Sequence, residues 1–306
     1  NLSKDTSSIV NTDKLNKDTW VLASSEVSKL LNKLNEQPLR LEDVFEKIFQ
    51  GIATSKDDVY FIYDCTETQS TITGESKQLN KRVTIEKGLV KPLLKGEDVH
   101  RYDNLSSNRY VIFPYKLENE TANLYAEEEL KLLFPNGYAY LKECETLLRG
   151  REKGRFDIDG QWFQFGRRQG LSYGNIPKIV APEISFGGNY AFDVSGQFYS
   201  TTKIYGYILK SSMIQYGYNF FLGLLNSSLF WFFIQNTGYV LRGGYFTFKT
   251  NYVSPFPIPK FADIDSTLLL KIDNNVESII ELNAMKGNDT QIKLLIKEID
   301  SVIYKI

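Results

Sequence analysis

Residues Phe220 to Gly238 read FFLGLLNSSLFWFFIQNTG, the most apolar run of the chain, and how it is read decides between a membrane span and a globular core. A bilayer span needs roughly 20 consecutive apolar residues. Here Asn226, Ser227, Ser228, Gln235 and Asn236 interrupt the run before that length is reached. The stretch is therefore predicted as one buried helix from about Tyr216 to Gln235. Composition agrees, since a chain of 306 residues with 42% hydrophobic and 24% charged residues has globular proportions and can bury one large core or two smaller ones. Only Cys65 and Cys144 are present, too few for a disulfide framework, and no basic flank precedes an apolar leader. A reducing, cytoplasmic setting without membrane contact is the expectation.

Outward from this helix the pattern shortens. The chain holds 20 Phe, 19 Tyr and 3 Trp, a bias that suits pleated strands. VYFIY (Val59 to Tyr63), GLVKPLL (Gly88 to Leu94), RYVIFPY (Arg109 to Tyr115), KIVAPEI, YAFDV and TKIYGYIL read as strands between polar turns. Helical spacing appears from Ser24 or Ser25 up to Pro38, at Tyr125 to Leu133, and at Tyr138 to Leu148. Beyond Pro255, Pro257 and Pro259, two further helical stretches flank a Gly287-Asn288-Asp289 turn and predict a C-terminal helical pair. Helices and strands mix without regular βαβ alternation, so the expected class is α+β: strand-rich, with a buried helix and a terminal helical pair. Residues 1–20 are polar and unpatterned, and with Asn1 in place of methionine they are expected to be a linker from a preceding module.

Several chemistries lack their residues. A single His100 and two separated cysteines cannot build an ordinary zinc site, and neither a Walker loop nor a dinucleotide GxGxxG is present. His100, in KGEDVHRY, reads as a structural turn residue. Asp64 followed by Glu75, Ser76 and Lys77 has the acidic, acidic-x-lysine order of a magnesium nuclease, but CTETQSTITGESK is equally the composition of an exposed polar loop. No catalytic residue and no metal ligand is assigned to this chain.

Charge is the most uneven property. Net charge is only −1, yet Leu148 to Gly170, LRGREKGRFDIDGQWFQFGRRQG, gathers Arg149, Arg151, Lys153, Arg155, Arg167 and Arg168 around glycines and rings. Arginine's planar fork suits phosphate and guanine edges, glycine lets backbone approach a phosphate, and aromatic rings can stack on bases. A solvated face with salt bridges to acids such as Glu143 and Glu145 is the plainer reading. A second candidate is RGGYFTFKT, Arg242 to Thr250. As a strand it would point Arg242, Gly244, Phe246 and Phe248 one way and Gly243, Tyr245, Thr247 and Lys249 the other, one face packed and one facing a ligand.

The succession GLVKPLLKGEDVHRY, YVIFPY, WFQFGRRQG, KIVAPEI, LGLLNSSLFWFFIQNTG and GYFTFKTNYVSPFPIP resembles the C-terminal, TaqI-like target-recognition domain of type IIG restriction-modification enzymes and related adenine DNA methyltransferases. The resemblance covers about Phe45 to Pro259. It implies a domain that reads duplex DNA while a methyltransferase core in the same polypeptide handles a flipped adenine. Residues 21–260 would be that recognition domain and 261–306 a helical spacer or docking segment, as after the proline-rich exit of type I specificity subunits. The expected DNA contacts are Arg149, Arg151, Arg155, Arg167, Arg168, Gln169, Arg242, Tyr245, Thr247 and Lys249, with Arg149 to Arg155 a mobile clamp on the DNA backbone. S-adenosylmethionine and magnesium would belong to the parent enzyme, because the Asn/Asp-Pro-Pro-aromatic motif and glycine-rich cofactor loop of adenine methyltransferases do not occur in this sequence. The alternative is a protein-interaction module of the same system that leaves DNA untouched.

Overall fold

The computed structural model describes residues 25–119 and 121–306, whose contacts gather into two compact units. Of the described residues, one comprises 25–47, Ile184–Asn189 and Leu209–Ile306; the other comprises Ile48–Glu183 and Tyr190–Ile208. The expected linker, residues 1–20, lies outside the described residues.

The second unit is built on a six-stranded sheet, in the order Tyr199–Ser200, Val90–Leu94, Tyr110–Ile112, Phe61–Glu67, Thr71–Ser76, Lys81–Glu86. Its pairings are antiparallel except the first. Ile72, Val83 and Ile85 turn inward at strand spacing and join Leu89, Ile112, Phe113 and Leu141 in one core. The helix Pro135–Glu143 lies against this sheet because Gly137 has no side chain to strike Leu89, where a Cβ would come within 2.2 Å. Its first amides, Asn136 and Gly137, donate to Glu86 at 2.8 and 2.9 Å, which satisfies N–H groups that a helix start leaves unpaired. Beside this sheet in sequence, Lys178–Pro182 pairs antiparallel with Ala191–Asp193 and with Ile204–Leu209. Lys178 and Asp193 form a buried ion pair at 2.7 Å. Burial pulls the lysine's pKa down, against the opposing pull of Asp193.

In the first unit the apolar run is two helices, Tyr218–Leu225 and Ser228–Thr237, where a single one was expected. The break falls at Asn226 and Ser227, whose polarity had argued against a membrane span. Ser227 caps the second helix by accepting from the Phe230 amide at 3.1 Å. The carboxylate of Asp300 accepts from the Ser228 amide and hydroxyl at 2.8 and 2.5 Å. Asp300 sits on Asp289–Ile303, which with Ser266–Ala284 forms the expected terminal pair. That pair packs on the apolar helices, since Gly223 meets Ile272, Val276 and Ile299 where a Cβ would come within 2.8 Å. Among the described residues no helix is long and apolar enough to cross a membrane. The fold is mixed α+β, with buried helices and a C-terminal helical pair.

Candidate nucleic-acid interface

The arginine segment begins where Glu145–Arg149 ends. Glu152, Lys153 and Gly154 then take three successive left-handed conformations, with φ of 47°, 63° and 84°. For the two residues with a Cβ this costs about 1–2 kcal/mol each. Two ties hold the turn. Arg151 is buried, and its guanidinium donates to the carbonyls of Leu148, Thr54, Trp162 and Gln164 at 2.7–2.8 Å while lying 4.3 Å from the centre of the Phe156 ring. Glu152 accepts from Ser55 Oγ at 2.7 Å and from Arg155 and Arg167 at 2.9 Å, and these bonds, Ser55's first, bring its carboxyl down to about 2.

These positions revise the expected contacts. Arg151, expected among the DNA contacts, is a buried brace of the fold, with four of its five N–H donors on backbone carbonyls. The segment is anchored at that residue instead of hanging free as a clamp. Arg149 is mostly covered and pairs with Glu145, Asp157 and Asp159 at 2.8–2.9 Å, so its charge is balanced three times over. The plainer reading of the arginines thus holds for Arg149 and names one partner, Glu145, correctly; Glu143 pairs with Lys81. Trp162, Phe163 and Phe165, read as rings that could stack on bases, are buried in the core.

What remains outside is a smaller set. Arg155, Arg167, Arg168 and Gln169 are exposed. The backbone from Gly166 to Arg167 runs along residues 53–55, with the Gly166 and Arg167 amides donating to Thr54 and Ala53 at 3.1 Å. Only glycine fits at 166, where a Cβ would lie 1.7 Å from Ser55 Oγ. Arg168 donates to the Ala122 carbonyl at 3.1 Å, which uses one of its five N–H donors, and Gln169 Nε2 donates to the Gly51 carbonyl at 3.0 Å and to Gln50 Oε1 at 3.4 Å, which uses both of its donors. Arg167 also lines a shallow groove of about 500 Å³ with residues 53–58 and Thr202.

The second candidate folds differently from a regular strand. Only Phe246–Thr247 is strand, paired with Ile184–Ser185 on one side and bridged to Val240 on the other. Gly243 and Gly244, at φ of 84° and 80°, turn the chain before it. Strict alternation is therefore lost: Thr247 and Phe248 are both buried, and Lys249 precedes the short helix Thr250–Val253. Thr247, expected on the ligand face, is buried, and among the described residues its hydroxyl has no hydrogen-bond partner. Tyr245, Arg242 and Lys249 are exposed.

Sequence reasoning missed Phe186, which the antiparallel register Ser185↔Phe246 sets opposite Tyr245. It also missed a signal in plain view, that no Asp or Glu occurs between Asp193 and Asp263 or between Ile184 and Asn189. Of the nuclease triplet, Asp64 sits at a bulge between two strands and is hydrogen-bonded by Asn108 at 3.1 Å, and Lys77 lies over the Tyr63 ring at 4.2 Å. Among the described residues no group of three or more His, Cys, Asp or Glu side chains is placed to hold a metal. His100 is exposed and lies just before the turn at residues 101–102.

The TaqI-like C-terminal specificity domain matches residues 91–258, more than half of the chain, and the chain belongs to that family. It is 25% identical over 287 residues to the type II restriction enzyme and methyltransferase RM.Eco57I of Escherichia coli, covering 89% of this chain and 28% of that protein. It is 21% identical over 251 residues to the type II methyltransferase M.XhoI of Xanthomonas vasicola, covering 82% of this chain and 41% of that one. The chain thus spans well under half the length of either relative. Among solved structures, the type IIL restriction-modification enzyme MmeI, in complex with DNA, superposes with a TM-score of 0.58 at 12% identity, over 89% of this chain and 33% of that one. That likeness is one of fold.

Proposed function

We propose that this chain recognises a specific sequence in double-stranded DNA on behalf of an adenine methyltransferase core, and carries no catalytic step itself. Family membership over residues 91–258 is the observation that carries the reading. Two surfaces support it chemically. Arg155, Arg167, Arg168 and Gln169 offer forks and an amide from a braced segment, suited to phosphates and base edges. Arg242, Tyr245 and Lys249 offer a second set on a hairpin. The methyltransferase core would lie in the same polypeptide, as the names of the longer relatives suggest. S-adenosylmethionine and magnesium are assigned to that core and not to this chain.

Binding should fall steeply with salt, and alanine at a phosphate-contacting arginine among Arg155, Arg167 and Arg168 should lower the log–log salt slope by about one. The test is exchange: the exposed residues of these two surfaces are replaced by a relative's in a fusion to a methyltransferase core, and methylated sites are mapped. A changed target supports the reading. An unchanged target, or binding to the core alone that is insensitive to salt, overturns it in favour of a protein-interaction module.

A further inference from the structure

The hairpin region ends in a ledge of rings that the folded unit leaves uncovered. Phe186 is 67% exposed and Tyr245 48% exposed, with ring centres 6.2 Å apart and edge to face. Trp231 stands behind them, 5.8 Å from Phe186 and 5.2 Å from Phe246. The ledge is positioned, not loose: Ser185 and Phe246 pair across the ladder, the Leu241 amide donates to the Tyr245 carbonyl, and Gly244 lies where a Cβ would touch Phe186 at 3.5 Å. Arg242, one turn away, is exposed and among the described residues makes no ion pair or side-chain hydrogen bond.

Two exposed rings side by side are costly in water unless something covers them. The electrostatics choose the occupant. Every segment that builds the ledge comes from sequence without a single carboxylate, from Ile184 to Asn189 and from Val194 to Ala262, whereas Arg242 and Lys249 flank it. Positive charge at Arg242 and Lys249 beside flat apolar faces complements a polyanion that also carries flat faces. We infer that the Phe186–Tyr245 ledge stacks against a nucleobase whose neighbour in the duplex is missing, with Arg242 on an adjacent phosphate. The inference rests on the DNA-recognition reading above and adds a subsite to it.

The probe is a duplex with an internal single-nucleotide gap flanked by 2-aminopurine, compared with the same duplex fully paired, both titrated against the whole chain. The gapped probe should bind about tenfold tighter, in line with the stacking of one base, and its fluorescence should be quenched. Phe186→Ala should remove that preference and the quench while affinity and salt slope for the paired duplex stay as they were; Tyr245→Ala should also remove the preference and the quench, and Tyr245→Phe should retain both. Arg242→Ala should lower the salt slope on the gapped probe by about one. Equal affinity for the two probes, or a preference that survives Phe186→Ala in a variant with unchanged thermal unfolding, overturns the ledge but leaves DNA recognition standing. A chain that binds neither probe at low salt overturns both. Loss of binding to a methyltransferase core in Phe186→Ala, with the gap preference intact, reassigns the ledge to protein docking and overturns it too.

Discussion

The Arg149–Gln169 segment and the Tyr239–Lys249 hairpin both bring arginine to aromatic rings, and they use the pair in opposite ways. In the first, the rings are core and the cations are largely answered from within: Arg151 by four carbonyls, Arg149 by three acids, Arg155 and Arg167 by Glu152. In the second, Tyr239 and Tyr245 are exposed while Phe248 is buried, and Arg242 makes no ion pair or side-chain hydrogen bond among the described residues. The arginine-dense stretch is thus mostly architecture, and the sparser one is the more open to a ligand. Density of charge says less about binding than the absence of countercharge nearby.

The largest effect expected from this contrast is on stability. Arg151→Ala takes a donor from four carbonyls, of which Thr54 keeps the Gly166 amide, and removes the tie that holds two left-handed residues, and should cost about 3 kcal/mol in urea unfolding. Arg151→Lys should recover little, because a point charge cannot span the same fork. A loss within about 0.5 kcal/mol, as for ordinary surface positions, would return Arg151 to the surface set and erase the comparison. Next comes Glu152→Gln, which releases Arg155 and Arg167 from their shared acid. DNA binding should tighten, with the salt slope rising by about one; an unchanged slope means those arginines face no phosphate.

Smaller again is Thr247→Val, which keeps the shape and deletes a buried hydroxyl without a partner. Stability should rise by up to about 1 kcal/mol in thermal unfolding. Weaker DNA binding at unchanged stability would instead put that hydroxyl on a base. Smallest is a pH effect. The Glu152 carboxyl is brought from 4.5 to about 2, chiefly by Ser55 and then by Arg155. Since the folded value is the lower one, its ties are complete above about pH 4.5 and are lost as pH falls towards about 2. Amide exchange at residues 152–154 should rise only across that window; a midpoint near 4.5 would show that the carboxylate is untied.

Much of this was legible in the chain. Helical spacing with Asp265 and Asn288 as caps marks the terminal pair, and Pro38 marks the end of the first helix's neighbourhood, because these signals are local. The break at Asn226 and Ser227 was visible as polarity but not as a cap, since capping depends on the serine's backbone as well as its side chain. Arg151 was out of reach for a different reason: two of its acceptors, Thr54 and Trp162, are separated by more than a hundred residues in sequence. The hairpin misled because two left-handed glycines stop a strand that alternation alone would extend. Phe186 lies far from Tyr245 along the chain, and only the pairing of Ser185 with Phe246 makes them neighbours.

That pairing has a genetic side. Ile184–Asn189 belongs to one unit although the residues on both sides of it belong to the other, so neither unit is encoded by an unbroken stretch of gene. A recombination that exchanged residues 48–208 as a cassette would import the donor's Phe186 position and leave the recipient's Tyr245 in place. Chimeras of this kind inherit the ledge from two parents, and those in which the two rings were selected together are the ones expected to survive.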